Sequence, residues 1–248
     1  MKSLQILTRT ESKSLNSTIP ISFDWREKNA VSPAKDQQIT KCGSCYAFAV
    51  AAAIETAVAI KTKKLLDLSE QELVDCDLAN YNITLPNNFT LGGCVGGSAS
   101  NGIKYATKFG LFSETQYPYI AKNGTCRASC ITGNKTFVKG ITGPNPFTED
   151  GFAQFIAQQG PLIIGFTVPK SMMSYSSGIM SLTPEQCAKE SLGNGHVMVL
   201  VGYGIENGIP YFTLKNSFGP NWGENGFMRF KRGINFCNFN SYAGSPIY

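Results

Sequence analysis

Apolar positions change their spacing about midway along the chain, which separates a helical first half from a β-rich second half. The longest apolar stretch, residues 45–60, is rich in alanine and predicts the longest helix. It is followed by Lys61, Lys63 and Lys64, and cations suit the C-terminus of a helix. Because this stretch is only 16 residues long and contains Glu55, we expect a buried helix rather than a membrane span.

Two shorter helices are predicted in the first half. One begins at Ser69, whose hydroxyl caps the helix while Glu72 reaches back in a capping box, and it ends near Cys76. The other covers residues 98–109 and stops at the glycine that follows. Residues 77–93, between the two, are interpreted as a long surface loop.

The second half has alternating or continuous apolar runs separated by Gly, Pro and Asn, which is the pattern of strands. One helix is predicted among them at residues 148–159. The predicted strands cover residues 161–168, 196–203, 211–214 and 226–230. A helical half followed by a β-rich half favours two packed lobes, and a cleft between lobes is a common place for a ligand.

Composition and charge exclude several classes of protein. With 42% hydrophobic and 16% charged residues, the chain has the profile of a folded globule rather than a disordered protein. The 22 basic and 17 acidic residues give a net charge of +5, but the cations are scattered apart from residues 61–64, so nucleic acid is not an expected partner. Eight cysteines with one histidine lack zinc-ribbon spacing, and we expect no metal and no cofactor.

The cysteines favour disulfides in an oxidising compartment. Glycosylation sequons agree with that setting and stand at Asn16, Asn82, Asn88, Asn123 and Asn134. We therefore expect a glycoprotein that is secreted or resides in a lysosome- or vacuole-like compartment, with its leader removed. Residues 1–18 are polar and aperiodic and are interpreted as a pro-segment remnant or an added tail.

Cys45 stands at the start of the longest predicted helix, three residues after Cys42. The partial positive charge and free N–H groups of a helix N-terminus favour a thiolate, which is the form that acts as a nucleophile. A Cys-x-x-Cys pair is also typical of a redox centre, and both cysteines are equally open to a structural role.

His196 is the only histidine, so any imidazole-based proton transfer near neutral pH must use it. It follows a Gly-Asn-Gly segment at the entry to a predicted strand. Asn216 follows another predicted strand, and an Asn amide is able to orient an imidazole toward a nucleophile. Taken singly, a lone histidine is more often structural and such an asparagine is more often a turn residue.

Taken together, these segments resemble papain-like cysteine proteases, including the cathepsins and the mite-type proteases. The matching blocks follow the family order over residues 19–248. They are Asp24-Trp25-Arg26, Gln37 or Gln38, Cys42-Gly43-Ser44-Cys45-Tyr46-Ala47-Phe48, Leu68-Ser69-Glu70-Gln71-Glu72-Leu73-Val74-Asp75-Cys76, Gly93-Cys94-Val95-Gly96-Gly97, Tyr117-Pro118-Tyr119, Gly195-His196, Gly202-Tyr203-Gly204 and Lys215-Asn216-Ser217.

The resemblance implies an α+β, papain-like fold with the active-site cleft between a helical lobe and a β-barrel-like lobe. The helical lobe would cover residues 29–131. The β-rich lobe would cover residues 132–241 together with 19–28, and a strand at 242–248 would cross back.

The resemblance also implies a cysteine endopeptidase. Cys45 would be the nucleophile, His196 the imidazolium that protonates the leaving amine, and Asn216 its orienter, with a Gln amide and a backbone N–H as the oxyanion hole. The family usually has Gln-Gly-x-Cys, whereas this chain is longer there and lacks the Gly. Alignment from the preceding Lys-Asp makes Gln37 the oxyanion-hole glutamine, whereas the alignment with the shortest insertion before Cys42 makes it Gln38. We favour Gln37.

Substrate-binding residues carried over from the family predict a shallow pocket for a small or medium apolar side chain, two residues from the cut on the acyl side. They are Gly96, Gly97, Ser98, Ala99, Gly165, Val197 and Tyr242. A second departure is Phe218, which stands where a Trp commonly covers the Asn–His hydrogen bond. Because the chain has one histidine, the occluding-loop His pair of carboxydipeptidases is absent, so endopeptidase activity is expected.

By matching to the family, the expected disulfides are Cys42 to Cys94, Cys76 to Cys126, and Cys187 to Cys237. Cys130 is left over, and three alternatives are open for it: competition with Cys126 for Cys76, a free thiol or a small-molecule adduct. Expected partners are polypeptide substrates, the protein's own pro-segment and cystatin-like inhibitors, and the enzyme is expected to be a monomeric product of a zymogen. The alternatives are a weak or inactive papain-fold binding protein, and a thiol-disulfide oxidoreductase that uses Cys42 and Cys45.

Overall fold

The computed structural model describes residues 19–80, 83–84 and 90–248. The predicted tail at residues 1–18 and three of the predicted sequons, at Asn16, Asn82 and Asn88, lie outside the described residues.

Within the described residues, four of the five α-helices correspond to the predicted ones. The helices are α1 Cys45–Thr62, α2 Glu70–Asn80, α3 Ala99–Phe109, α4 Glu149–Gln158 and α5 Pro184–Glu190. The sequence interpretation missed α5, although Pro184 lies in its first turn and Thr183 and Gln186 form a reciprocal capping box. Its shortness leaves too few residues for an apolar periodicity, so the cap was the available signal.

Helix α1 forms the centre of the helical side of the molecule. Its alanines let neighbouring elements approach closely, and α2, α3 and strand residues pack around it. Among the described residues, α1 is the one helix that is long and apolar enough to cross a bilayer, but 78% of it is buried inside the fold. The prediction of a buried core helix is therefore confirmed.

The cap of α2 differs in part from the prediction. Ser69 Oγ accepts a hydrogen bond from the backbone N–H of Glu72 at 3.0 Å, as predicted. The reciprocal half is wrong, because the Glu72 carboxylate instead accepts from the Tyr105 hydroxyl at 3.0 Å, the Phe112 N–H at 2.7 Å and the Lys135 ammonium at 2.6 Å. Glu72 thus ties α2 to α3 and to the chain beyond it.

The strands form one large sheet and a small hairpin. They are β1 Phe23–Asp24, β2 Ile83–Thr84, β3 Thr90–Leu91, β4 Gly140–Thr142, β5 Leu162–Pro169, β6 Ile179–Met180, β7 Ser191–Glu206, β8 Ile209–Lys215, β9 Phe227–Lys231 and β10 Ala243–Ile247. The large sheet has the order β4-β10-β5-β7-β8-β9-β6, and β1 pairs with β7. The pair β2-β3 lies within the segment that was predicted to be a loop.

Two apolar clusters make up the core. One surrounds α1, α2 and α3, and the other lies among β5, β7, β8, β9 and α4. Ile163, Val199 and Val201 belong to strands but pack in the helical cluster, so the sheet lies directly against α1. This packing brings the start of α1 next to β7, which carries His196.

A buried polar network also joins the two sides. Lys215 Nζ donates to Ser32 Oγ at 2.7 Å, and Ser32 Oγ donates to the carboxylate of Glu55. The other Glu55 oxygen accepts from the backbone N–H of Leu68 at 2.8 Å. Burial lowers the pKa of Lys215, which the nearby Glu55 opposes. A charge placed so deeply is tolerable only with these partners.

The three expected disulfides are confirmed, and they join Cys42 to Cys94, Cys76 to Cys126, and Cys187 to Cys237. Cys45 and Cys130 remain free thiols, with Cys130 exposed. Cys130 therefore does not displace Cys126 from Cys76.

Candidate active site

Cys45 is the first residue of α1 and is partly exposed to solvent. Burial raises the pKa of its thiol, whereas the backbone N–H groups of Val197, Tyr46 and Cys45 itself act in the opposite direction. Ser44, at the N-cap, does not cap the helix with its side chain; its hydroxyl is hydrogen bonded to that of Tyr119 at 2.6 Å. The backbone N–H groups of Cys45 and Tyr46 are thus left for the thiol, whereas that of Ala47 donates to Ser44 O at 2.9 Å.

His196 lies on β7 and is 2% exposed. Its Nε2 is 2.7 Å from Asn216 Oδ1, which also accepts from the Ser217 N–H at 2.8 Å. A carbonyl oxygen only accepts, so Nε2 carries the proton and Nδ1 is left as the free ring nitrogen. Burial lowers the pKa of His196 to about 4, while the bond to Asn216 favours the charged form.

The antiparallel sheet explains why these two residues meet. β7 pairs with β5 and β8, and the register places Val199 opposite Lys215. Asn216 directly follows β8, so it falls beside the stretch of β7 that contains His196. The backbone N–H of Asn216 donates to Gly226 O at 3.0 Å, which fixes the chain at that point.

Aromatic rings cover the histidine. The rings of His196 and Phe218 lie with centroids 4.7 Å apart, and Trp222 meets Phe218 edge-on at 5.4 Å. Phe166 contacts the imidazole from another side at 6.0 Å. The Phe at position 218 therefore excludes water from the His–Asn hydrogen bond, as a larger aromatic would.

Gln37 is 1% exposed and is held at three points. Its Oε1 accepts from the Ser217 hydroxyl at 2.6 Å, its Nε2 donates to Cys42 O at 3.1 Å, and its backbone N–H donates to Ser217 O at 2.9 Å. One Nε2 hydrogen remains for another acceptor. Gln38 is exposed, and its side-chain oxygen accepts from Lys41 Nζ at 2.8 Å.

A cleft of about 650 Å³ contains these groups. Residues from both sides of the molecule line it: Gln37, Ile39, Gly43, Cys45, Val95, Gly96, Gly97, Gly165, Phe166, Thr167, Asn194, Gly195, His196, Val197, Asn238 and Ser241. Of the residues predicted from the family pattern, the structure brings together Cys45, His196, Gln37, Gly96, Gly97, Gly165 and Val197 in this lining.

Three predicted substrate-binding residues lie outside that lining. Ser98 caps α3 by accepting from the Asn101 N–H, and Ala99 is buried. The Tyr242 hydroxyl is hydrogen bonded to that of Ser100 at 2.9 Å. The sequence analysis did not predict Ile39 and Val95 as substrate-binding residues, but both line the cleft and are exposed. The available signal was their position in the chain, close to Gln37 and Gly96, which were predicted.

Taken singly, the Cys45 thiol and the His196 imidazole are each favoured in the neutral form. Burial opposes the Cys45 thiolate and the His196 imidazolium alike. Two opposite charges a few ångströms apart attract each other, which offsets the cost of burying them. The backbone donors at Cys45 and the Asn216 carbonyl favour the charged forms as well.

The fold and the cleft together define a two-lobed cysteine peptidase. The chain belongs to the papain family of cysteine proteases, whose family model matches residues 19–247. It is 37% identical to mouse pro-cathepsin H, over 98% of this chain and 70% of that protein. It is 38% identical to cysteine proteinase 3 of Solanum lycopersicum, over 97% of this chain and 64% of that protein.

Solved structures give the same result. The Carica candamarcensis cysteine protease CMS1MS2, in complex with E-64, superposes with a TM-score of 0.77 at 34% identity, covering 92% of this chain and 99% of that one. Digestive procathepsin L 3 from Tenebrio molitor larval midgut gives 0.80 at 31% identity, covering 97% of this chain and 74% of that one. The α+β, papain-like fold predicted from the sequence is confirmed.

The oxidoreductase alternative is wrong. Cys42 is bonded to Cys94, so it is not available to form a redox pair with Cys45. The family assignment likewise favours a peptidase over a binding protein that has lost its activity.

Proposed function

We propose that the protein is a cysteine endopeptidase with Cys45 as nucleophile, His196 as general acid and base, and Asn216 as positioning residue. One observation carries the proposal: Cys45 and His196 line the same cleft, and Asn216 holds Nε2 of the imidazole so that Nδ1 is the nitrogen left to serve the thiol. The proton on Nδ1 comes from Cys45, which generates the thiolate and the imidazolium together.

The reaction then follows in two halves. The Cys45 sulfur attacks the carbonyl carbon of the scissile bond, and His196 Nδ1 gives its proton to the departing amine, which leaves a thioester. A water molecule then loses a proton to His196 Nδ1 as its oxygen attacks the thioester. The acid is released, and the sulfur leaves as the thiolate beside the imidazolium.

The oxyanion that develops in each half needs donors. The backbone N–H of Cys45 is one, and we assign the free Nε2 hydrogen of Gln37 as the other. The Ser217 hydroxyl supports this role because it occupies Gln37 Oε1 and so turns the amide nitrogen away from Ser217. Gln38 is exposed and lies outside the cleft lining, which argues against it.

Gly96 and Gly97 are assigned to the backbone of an extended substrate, since a glycine permits close approach. A Cβ on Gly96 would meet nothing within 4 Å, so the space beside it is open. Gly165 and Val197 pair across β5 and β7 and would form the walls of the pocket for a small or medium apolar side chain. Ser98, Ala99 and Tyr242 would act from behind these walls, with Tyr242 held by Ser100.

The remaining assignments follow from the family and from the cysteines. Three disulfides suit a secreted protein or a lysosome- or vacuole-like compartment. The names of the mouse relative and of the beetle structure include pro-forms, which supports a pro-segment that occupies the cleft before activation. Polypeptides are the substrates, cystatin-like proteins the inhibitors, and the enzyme acts as a monomer.

The test is hydrolysis of internally quenched peptides with both termini blocked, before and after labelling with one equivalent of a thiol-reactive epoxide. We expect the label on Cys45, mapped by mass spectrometry, and loss of hydrolysis in proportion to it. Cys130 is the matched control because it is the other free thiol, and Cys130→Ser should hydrolyse the peptides normally. Undiminished hydrolysis with Cys45 fully labelled would contradict the proposal.

A further inference from the structure

Two branched apolar side chains, Ile39 and Val95, stand exposed in the cleft that contains Cys45. Ile39 is 41% exposed and Val95 is 56% exposed, and both line the cleft. Single exposed apolar residues are ordinary on a protein surface. Two exposed apolar side chains in the same cleft as the Cys45 thiol are less common, and together they offer apolar surface to the substrate that the thiol attacks.

A disulfide and a backbone hydrogen bond join the two segments that carry these side chains. Ile39 lies three residues before Cys42, and Val95 directly follows Cys94, which is bonded to Cys42. The backbone N–H of Gly43 also donates to Cys94 O at 2.8 Å. The segments that carry Ile39 and Val95 are therefore fastened together.

The space between the two segments has no side chain of its own. A Cβ on Gly43 would lie 2.9 Å from Cys94 O, a distance that requires the backbone to shift, so only glycine fits this position. Gly43, two residues before Cys45, therefore contributes only backbone to the cleft surface, and the two segments that meet there carry Ile39 and Val95.

The loop that carries Ile39 is organised before any substrate arrives. Gln38 O accepts from the N–H groups of Lys41 at 2.7 Å and Cys42 at 3.1 Å, and the Gln38 N–H donates to Asp36 Oδ1 at 2.7 Å. A turn closed in this way loses little conformational entropy when Ile39 contacts a ligand.

The cleft offers no counter-charge to a charged ligand. Within the part of the chain that the structure describes, the residues lining it include no Asp, Glu, Lys or Arg. The nearby Lys41 ammonium is engaged by Gln38 Oε1 at 2.8 Å. A charged side chain entering here would lose hydration without gaining a partner.

We infer that Ile39 and Val95 form an apolar clasp that selects substrates by the side chain of the residue whose carbonyl is attacked, and that it takes an apolar side chain. This inference rests on the proposed function, since it places that carbonyl between Cys45 and Gln37. Ile39 lies two residues after Gln37, and Val95 directly precedes Gly96, where the acyl part of the substrate is assigned. The clasp therefore borders the acyl residue next to the cut.

The test compares kcat/KM for blocked peptides that differ only in that residue, with Leu, Gly or Arg there, in the unaltered protein, Ile39→Ser and Val95→Ser. We expect the unaltered protein to prefer Leu over Arg. Each substitution should lower the Leu-to-Gly ratio about tenfold, the usual effect of removing an apolar contact from a pocket. The Gly peptide should lose much less of its rate than the Leu peptide, since it has no side chain for the clasp.

Ile209→Ser is the matched control, because Ile209 is also 41% exposed but lies outside the cleft lining. It should leave every ratio unchanged. A preference for Arg, an unchanged Leu-to-Gly ratio in both clasp variants, or an equal loss on the Leu and Gly peptides would overturn the inference while leaving the peptidase intact. Absence of hydrolysis of all three peptides by the unaltered protein would instead count against the proposed function itself.

Discussion

The charge state of His196 provides the most direct test of the proposed mechanism. Burial lowers the pKa of this imidazole from 6.5 to about 4. That drop corresponds to about 3 kcal/mol in favour of the neutral ring. If a Cys45 thiolate compensates for the burial, the histidine of the unaltered protein should remain protonated to a pH above 6.5. Cys45→Ser removes the thiolate, so the midpoint should then fall to about 4.

The assay is a proton NMR titration of the imidazole from pH 3 to pH 9. It requires no assignment because the chain has a single histidine. In Cys45→Ser the lowered pKa of His196 contributes stability to the fold at pH values above 6.5. This contribution is lost as the pH falls from 6.5 to about 4, because the unfolded chain binds a proton at His196 before the folded chain does. Urea unfolding at pH 7.5 and pH 4.5 should therefore show a loss of about 2.5 kcal/mol.

The double variant Cys45→Ser with His196→Gln lacks the titrating ring and provides the control for other groups that change charge over the same range. Its loss of stability between the two pH values should be smaller by about 2.5 kcal/mol. Equal midpoints in the unaltered protein and in Cys45→Ser would refute the ion pair. A midpoint near 6.5 in Cys45→Ser would refute the argument from burial.

Three further predictions concern the oxyanion donor, the orienting amide and the buried network. Gln37→Ala should lower kcat about 100-fold or more by removing an oxyanion donor, whereas Gln38→Ala should leave it within about twofold; the reverse pattern would reassign the donor. Asn216→Ala should lower kcat/KM about 100-fold and shift its pH profile, because the Nε2–H of His196 loses its acceptor. An unchanged pH profile would contradict the positioning role. Glu55→Leu should lower the free energy of unfolding by about 3 kcal/mol or more, because it removes the carboxylate that offsets the buried charge of Lys215 through Ser32. Asp67→Ala, at a carboxylate 60% exposed, should cost less than about 1 kcal/mol in the same urea titration. Equal effects would show that burial is not what matters.

The elements that were predicted well are those whose signal is local. The helix beginning at Cys45 and the strands of the second half follow from apolar spacing over a few residues, since each element must bury one face or all of itself. The error at Glu72 lies where the partner is distant in sequence, whereas α5 was missed although its capping box is local. The Glu72 carboxylate was expected to reach back to its own helix cap, but it is drawn to Phe112 and Lys135, about 40 and 63 residues further along.

The candidate site shows the same division. Cys45, His196 and Asn216 could be picked out because their types and their neighbours match a family pattern. The sequence favours Gln37 over Gln38 only through one of two alignments, whereas the contact that distinguishes the two side chains comes from the Ser217 hydroxyl, 180 residues away. Val95 lies within a block that matches the family and Ile39 lies in none, but neither was predicted to bind substrate, and only the structure places both in the cleft lining.

The sequence by itself predicted the types of the main elements, the candidates for the reactive groups and, through the family pattern, the pairing of six cysteines. The tertiary structure decided which residues share the cleft, which glutamine faces it and how strongly burial disfavours a charge on His196. The physical reason is that apolar periodicity and helix caps act within a few residues, whereas burial and hydrogen-bond partners arise from segments far apart along the chain that meet only when the two lobes pack.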